Sequence, residues 1–240
     1  MAKSLGLSLR NVYETFAISF PTVIDAARNR VDIEECNRRL ASWSEKVVRN
    51  LGIDLEVVGR ENHDRARTYV IMSNHQSHYD IPVLYYVLGG NMRMVAKREL
   101  FRVPIFGAAM AAAGFISVDR SDRKRAIESL ANAKTILAKD INVFIAPEGT
   151  RSKTGELGPF KKGGFNLAIE MGLPILPVSV DGTRHALPPD AARSIPGARV
   201  RVRIFPALEP KSYAERGKAG RDALMEDVRA AIARGLAEVP

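Results

Sequence analysis

The sequence predicts an α/β fold: a central, mostly parallel sheet flanked by helices, with an N-terminal amphipathic two-helix hairpin. Three observations predict it. From about residue 51 onward, short apolar runs alternate with stretches of helical period. Polar and charged clusters sit at the carboxyl ends of several of those runs. Residues 1–50 carry helical periodicity alone, which sets a hairpin of 1–50 apart from an α/β domain of 51–240.

In the hairpin, Leu9, Val12, Phe16, Phe20, Val23 and Ala27 fall three or four apart, one face of a helix over about 8–30. Pro21 lies inside it and is expected to kink or split it. Asp32 opens a second helix, with Glu35 three residues on in the manner of a capping box. Ile33, Cys36, Leu40, Trp43 and Val47 form its stripe, bordered by Arg28, Arg30, Arg38, Arg39, Lys46 and Arg49. Two readings fit these residues: a hairpin packed on the main domain, or a basic amphipathic hairpin lying on a membrane surface.

Ile53, Leu55 and Val57 alternate with Asp54 and Glu56, a half-buried strand, and 59–68 is a polar loop. Residues 69–72 read as a short buried strand and 81–88 as a helix stopped by Gly89-Gly90. Residues 92–96 are a strand leading into Lys97-Arg98-Glu99-Leu100. The Ala- and Gly-rich stretch 104–114 is expected to be a helix with small side chains. Residues 115–118 are a strand ended by Asp119-Arg120. The clearest helix is 122–139, with Ala126, Ile127, Leu130, Ala133, Ile136 and Leu137 inward. A buried strand, 141–146, runs into Pro147-Glu148-Gly149-Thr150-Arg151. A helix over 160–171 and a strand over 174–180 follow. Val200, Val202 and Ile204 alternate with Arg199, Arg201 and Arg203, so one strand face is strongly basic, and 219–236 is a terminal amphipathic helix.

With 240 residues, 46% hydrophobic and 26% charged, the chain can bury a substantial core. Its net charge of +9 attracts polyanions: nucleic acid, anionic lipid head groups or phosphorylated substrates. No zinc-finger spacing or aromatic RNA-binding signature supports nucleic acid, so none is expected as a partner. Cys36 is the only cysteine, which excludes an intrachain disulfide and fits a reducing compartment. No apolar run approaches about eighteen residues, and charges recur at Arg10, Glu14 and Asp25, so neither a transmembrane helix nor a signal peptide is expected.

Asn74-His75-Gln76-Ser77-His78-Tyr79-Asp80 lies on the turn between a strand and a helix, where α/β sheets expose functional groups. An imidazole near a carboxylate can take a proton from an alcohol, and the carboxylate fixes the tautomer and steadies the imidazolium. The plainer alternative makes Asp80 an N-cap, with Pro82 in the first turn, and His75 a satisfied strand-end residue. His75, His78 and Asp80 are metal-ligand types, but the H-E-x-x-H spacing and a cysteine cluster are absent, so no metal is expected. G-x-S-x-G is absent too, which disfavours a serine hydrolase. Glu148-Gly149-Thr150-Arg151 is the second constellation: Gly149 permits a tight turn, and a guanidinium just beyond it can bind phosphate in bidentate fashion. Lys97 with Arg98, and Phe160-Lys161-Lys162-Gly163-Gly164 at a helix start, are further anion candidates. Each basic cluster also reads as a solvated face.

The segment Asn74–Asp80 resembles the N-H-x-S-x-x-D motif of the 1-acylglycerol-3-phosphate acyltransferase family, the glycerolipid acyltransferases. Further blocks follow in the family's order. Gly114-Phe115-Ile116-Ser117-Val118-Asp119-Arg120 resembles the second and Ala146-Pro147-Glu148-Gly149-Thr150-Arg151 the third. Leu173-Pro174-Ile175-Leu176-Pro177-Val178 resembles the fourth, and Lys97-Arg98-Glu99-Leu100 a lysine-containing segment. The resemblance spans about 50–210; Ala146 departs from the family's usual Phe. It implies transfer of a fatty acyl group from a thioester, acyl-coenzyme A or acyl-carrier protein, to a lysophospholipid hydroxyl. The usual acceptor is 1-acylglycerol 3-phosphate and the product phosphatidate. His75 would be the general base and Asp80 its orienting partner. Arg151, with Lys97 and Arg120, would hold the acceptor phosphate. The turn Glu148, Gly149, Thr150 would supply backbone donors to the oxyanion, and the small residues at 108–113 would either line an acyl-chain channel or serve ordinary helix packing. No metal or bound cofactor is implied. The expected location is peripheral, on the cytoplasmic side of an anionic membrane surface. Other acceptors (another lysolipid or glycerol 3-phosphate), a thioesterase, and a non-enzymatic basic binding protein are the alternatives.

Overall fold

The computed structural model describes residues 3–119 and 133–237. Helix α1 (Leu5–Ala27) begins at Ser4, whose hydroxyl accepts from Leu7 N–H, and runs through Pro21 as one element. The expected split does not occur, because contacts to α2 (Ile33–Leu51) clamp both sides of the proline. Before it, Trp43 Nε1 donates to Thr15 Oγ1; after it, Arg39 donates to Thr22 Oγ1 and pairs with Asp25.

The face that α1 turns inward is polar. Asn11, Ser19 and Thr22 are buried, while Leu9 is 59%, Val12 51% and Phe20 58% exposed. The apolar stripe therefore points away from the protein. In α2 the stripe points the other way, with Cys36, Leu40 and Val47 buried. Asp32 caps α2 by accepting from Glu35 N–H at 2.7 Å. The Glu35 carboxylate is taken by Arg38 and Arg39, so only half of the expected capping box is realised.

The described strands are β1 (Asp54–Val58), β2 (Val70–Ser73), β3 (Met92–Lys97), β4 (Ile116–Val118), β5 (Asn142–Ile145), β6 (Ile175–Asp181) and β7 (Arg199–Ile204). They form one seven-stranded sheet in the order β1-β7-β6-β2-β5-β3-β4. Neighbours are parallel except β6 and β7. The remaining helices are α3 (Asp80–Leu88), α4 (Phe106–Ala112), α5 (133–137), α6 (Gly163–Met171), α7 (Thr183–Ala186), α8 (Lys211–Ala214) and α9 (Gly217–Ala237). Most of the helix expected at 122–139 lies outside the described residues; Ala133 and Leu137 are buried as expected.

Alternate residues of each central strand enter opposite cores. Ile71, Phe144, Leu176 and Val178 pack with α2 and α3, and Val70, Met72, Val143 and Ile145 with α5, α6 and α9. Burial on both faces is why β2 and β5 read as unbroken apolar runs. The edge strand β1 does alternate, and its outward acids have a use. Asp54 stands beside Arg199 and Glu56 beside Arg201 in register, and both pairs form salt bridges. Two of the three arginines of the basic face expected on β7 are thereby matched by acids.

The order of the sheet also locates a crevice. From β2 the chain passes through α3 to β3, on the far side of β5. From β5 it passes through α6 to β6, on the far side of β2. The adjacent strands β2 and β5 thus send their chains in opposite directions, over opposite faces. Their carboxyl ends flank a topological switch point, the place where open α/β sheets bind ligands. No helix among the described residues is long and apolar enough to cross a membrane.

Candidate active site

The loop leaving β2 is fixed before it reaches its histidine. Asn74 imitates backbone: its Oδ1 accepts from Val180 N–H and its Nδ2 donates to Val180 O, both at 2.8 Å, tying the loop to β6. Gln76 Nε2 donates to the same carbonyl, and Ser77 Oγ donates to Leu187 O. His75 Nδ1 then lies 2.6 Å from Asp80 Oδ2.

Asp80 is the first residue of α3 and fully buried. It is not the N-cap that the plainer reading expects. Its carboxylate turns back into the preceding loop, where Oδ2 accepts from the backbone N–H of Gln76 at 2.7 Å and of Ser77 at 2.9 Å. The Thr183 hydroxyl donates to Oδ1. With Asp80 accepting on every side, His75 Nδ1 carries the hydrogen, which leaves Nε2 with a lone pair. The His75 side chain is 16% exposed, enough to reach a bound molecule.

The turn after β5 closes the other side of the crevice. Gly149 takes φ +72°, a left-handed conformation in which a glycine meets no steric penalty. Lys161 lies against it; a β-carbon there would stand 3.0 Å from Lys161 Cε. Glu148 is buried and bridges two loops: Oε1 accepts from His75 N–H at 3.0 Å and Oε2 from Gly158 N–H at 2.8 Å. Arg229 of α9 donates to Gly158 O and Leu157 O, carrying the support through to the terminal helix. Ser152 N–H donates to His75 O at 2.7 Å, so the two loops are joined through the His75 backbone in both directions.

Glu148 therefore holds the His75 loop in place. The Gly149 N–H, expected as an oxyanion donor, is engaged by Ala146 O at 3.0 Å inside its own turn. Arg151 is half-buried and donates from Nη1 to Pro189 O at 2.7 Å. Its charge reaches the same neighbourhood as the dyad. His78, whose side chain is exposed, has its pKa pushed down to about 4, first by partial desolvation, then by the positive field of Arg151.

His75, Asp80, Glu148, Gly149 and Arg151 are thus brought to one crevice, with exposed Thr150 on its outer turn. Lys97 ends β3, two strands from β2, on the order of 10 Å away at ordinary strand spacing. Its ammonium is 3.4 Å from Glu99 and its side chain 56% exposed, so it stands on the rim. Arg120 lies outside the described residues. Of the small residues at 108–113, Ala109 and Ala113 line a cavity of about 50 Å³, together with the bulkier Phe106 and Met110 and with residues of the hairpin. Two contributors were missed in the sequence, Asn74 and Thr183. The signal available for Thr183 was its place directly after a strand, in Asp181-Gly182-Thr183.

The model of the acyltransferase family matches residues 54–181, which include both loops of the crevice. The chain is 37% identical over 150 residues, 62% of its length, to the chloroplastic 1-acyl-sn-glycerol-3-phosphate acyltransferase BAT2 of Brassica napus, and covers 43% of that protein. It is 40% identical over 142 residues, 58% of its length, to the 1-acyl-sn-glycerol-3-phosphate acyltransferase of Saccharomyces cerevisiae, and covers 46% of it. The chain spans about half the length of these curated relatives. The crystal structure of the 1-acyl-sn-glycerophosphate acyltransferase PlsC from Thermotoga maritima superposes with a TM-score of 0.75 at 26% identity, covering 97% of both chains. The sequence blocks, the sheet and the matched region agree, and the chain belongs to the acyltransferase family.

Proposed function

We propose that this protein transfers a fatty acyl group from an acyl thioester to the sn-2 hydroxyl of 1-acylglycerol 3-phosphate, giving phosphatidate. The observation that carries the reading is the His75 Nδ1–Asp80 Oδ2 contact of 2.6 Å, made by a fully buried carboxylate. In this mechanism His75 Nε2 removes the acceptor's hydroxyl proton as the oxygen attacks the thioester carbonyl. Asp80 steadies the imidazolium. The tetrahedral oxyanion collapses, the carbon–sulfur bond breaks, and the thiolate recovers the proton from Nε2. No acyl-enzyme, metal or bound cofactor is needed. Arg151 holds the acceptor phosphate, with Lys97 at the rim as a further cation and Arg120 as another. The similarity to 1-acyl-sn-glycerol-3-phosphate acyltransferases supports this acceptor.

The reaction takes place on this view at a membrane surface. Supporting it are the outward apolar stripe of α1 and the net charge of +9, which suits an anionic leaflet such as a cytoplasmic one. The attachment is peripheral, through the hairpin.

The test is direct. Purified protein is given 1-acylglycerol 3-phosphate, other lysolipids or glycerol 3-phosphate, with acyl-coenzyme A or acyl-carrier protein, and products are identified by mass spectrometry. Phosphatidate is expected, with His75→Ala about 10²–10⁴-fold slower. Free fatty acid formed equally with and without acceptor would instead make the protein a thioesterase. A different dominant product would reassign the acceptor.

A further inference from the structure

We infer that Thr183, which lies beyond the matched family region, is a positioning residue for the His75–Asp80 couple. Its hydroxyl sets the orientation and basicity of the Asp80 carboxylate. The inference rests on the dyad reading given above.

The two oxygens of Asp80 have different partners. Oδ2 faces His75 and two backbone N–H groups, and all three belong to the loop that carries the histidine. Oδ1 has one hydrogen-bond partner among the described residues, the Thr183 hydroxyl, which comes from the start of α7, 103 residues away. Both residues are fully buried, so no water takes the place of this donor. A carboxylate pivots about its Cβ–Cγ bond, and the Thr183 bond is what fixes Oδ1 from outside the loop.

The fold delivers Thr183 to that point by construction. β6 lies beside β2, and the Asn74–Val180 pair locks the two strand ends level with each other. The chain then turns at Gly182, where φ is +92° and a β-carbon would stand 2.0 Å from Arg199 O. Only glycine passes there, and the next residue starts α7 with its side chain against Asp80. Leu187 N–H and His185 N–H donate to Thr183 O and Gly182 O, which fixes the turn from behind.

Withdrawing the hydroxyl has a predictable chemical consequence. Oδ1 would be left buried without a donor, and the carboxylate would hold the His75 proton more tightly. The base would then be poised at a higher pH, and its ring less firmly aimed. A residue that merely braced the fold would lower the amount of active protein without moving the pH dependence.

The experiment compares wild type, Thr183→Val, Thr183→Ser and His75→Ala in the full chain, with kcat, both KM values and the pH profile of kcat/KM. Thr183→Val keeps the shape and removes the donor. It is expected to lower kcat about 10- to 100-fold, the worth of one hydrogen bond to a charged group. KM for the acceptor should stay within about twofold, and the acid limb should move to higher pH. Thr183→Ser should restore both rate and limb. An unmoved limb in Thr183→Val, at any rate, or a Ser variant no better than Val, overturns the inference. If Val fails to fold, the Ser variant decides: it must keep the wild-type limb, and a shifted limb counts against the role. His75→Ala separates the two levels. Turnover retained there removes the dyad itself; turnover lost there with Thr183→Val unaffected removes only the role of Thr183.

Discussion

Asn11 Nδ2 donates to the Tyr79 hydroxyl at 3.0 Å, so the helix that carries the outward apolar stripe is tied to the residue next to Asp80. The Tyr79 hydroxyl also meets Ser194 Oγ at 2.6 Å, and Ser194 is bonded to Ser8 on the first turn of α1. Cutting away residues 1–50 would therefore disturb the site as well as the surface, and would uncover Leu51 and Tyr79 beneath. The surface is better removed one side chain at a time. Leu9→Ser, Val12→Ser and Phe20→Ser together should leave the thermal midpoint within a few degrees, because all three are more than half exposed. Each apolar side chain is worth about 1.5–3 kcal/mol when fully buried. Binding to vesicles containing anionic lipid should thus fall at least about 100-fold in co-sedimentation. Unchanged binding would remove the stripe as a docking face.

Glu148 offers a sharper chemical test than most buried acids. Both of its oxygens accept from backbone N–H groups, of His75 and Gly158. Glutamine has one acceptor and one donor at its end, so it can satisfy only one partner and opposes the other. Glu148→Gln should then be nearly as harmful as Glu148→Ala, each costing roughly 2–4 kcal/mol of stability from unsatisfied buried groups. Urea midpoints would measure this. A Gln variant as stable as wild type would mean that the two-acceptor clamp is not what holds these loops.

What the sequence could and could not announce follows from the range of each interaction. The turn from 74 to 80 was legible because a buried strand, a polar loop and a helix start each leave local marks. Its link to Thr183 was not, since that bond joins residues 103 apart and depends on β6 lying beside β2. Periodicity revealed the stripe of α1 but not the medium it faces, because outward and inward stripes share one spacing. Arg199 and Arg201 of β7 looked like part of a free basic face because their partners, Asp54 and Glu56, come 145 residues earlier in the chain, in the edge strand beside β7. Pro21 looked like a break because the clamps from Arg39 and Trp43 come from another helix.

His78 should give the protein a small acid-sensitive component of stability, small because its side chain is exposed to solvent. Partial desolvation and the nearby Arg151 push its folded pKa down to about 4, against about 6.5 in an unfolded chain. Between these values the unfolded state binds more protons, so stability rises with pH across the window. The contribution is fully present above about pH 6.5 and is lost as pH falls toward 4. His78→Gln cannot titrate. Its urea midpoint should fall less than the wild-type midpoint between pH 7 and pH 4. Parallel curves for the two proteins would show that His78 does not titrate low in the fold.

Arg151 spends one of its donors on Pro189 O, at 2.7 Å. That bond fixes the plane of the guanidinium and leaves the other N–H groups as a fork. A phosphate oxygen pair matches such a fork, and a lysine ammonium cannot hold Pro189 and make the same paired contact. Arg151→Lys keeps the charge and loses the geometry, so it separates phosphate gripping from general electrostatic attraction. The acceptor KM should rise about tenfold or more in Arg151→Lys, and further in Arg151→Ala, from the loss of a charge-assisted bond. The donor KM should stay within about twofold. If both KM values rise together, Arg151 is bracing the loop beside His75 and the acceptor phosphate is held elsewhere. If Lys matches wild type, a point charge suffices and the fork has no role in recognition.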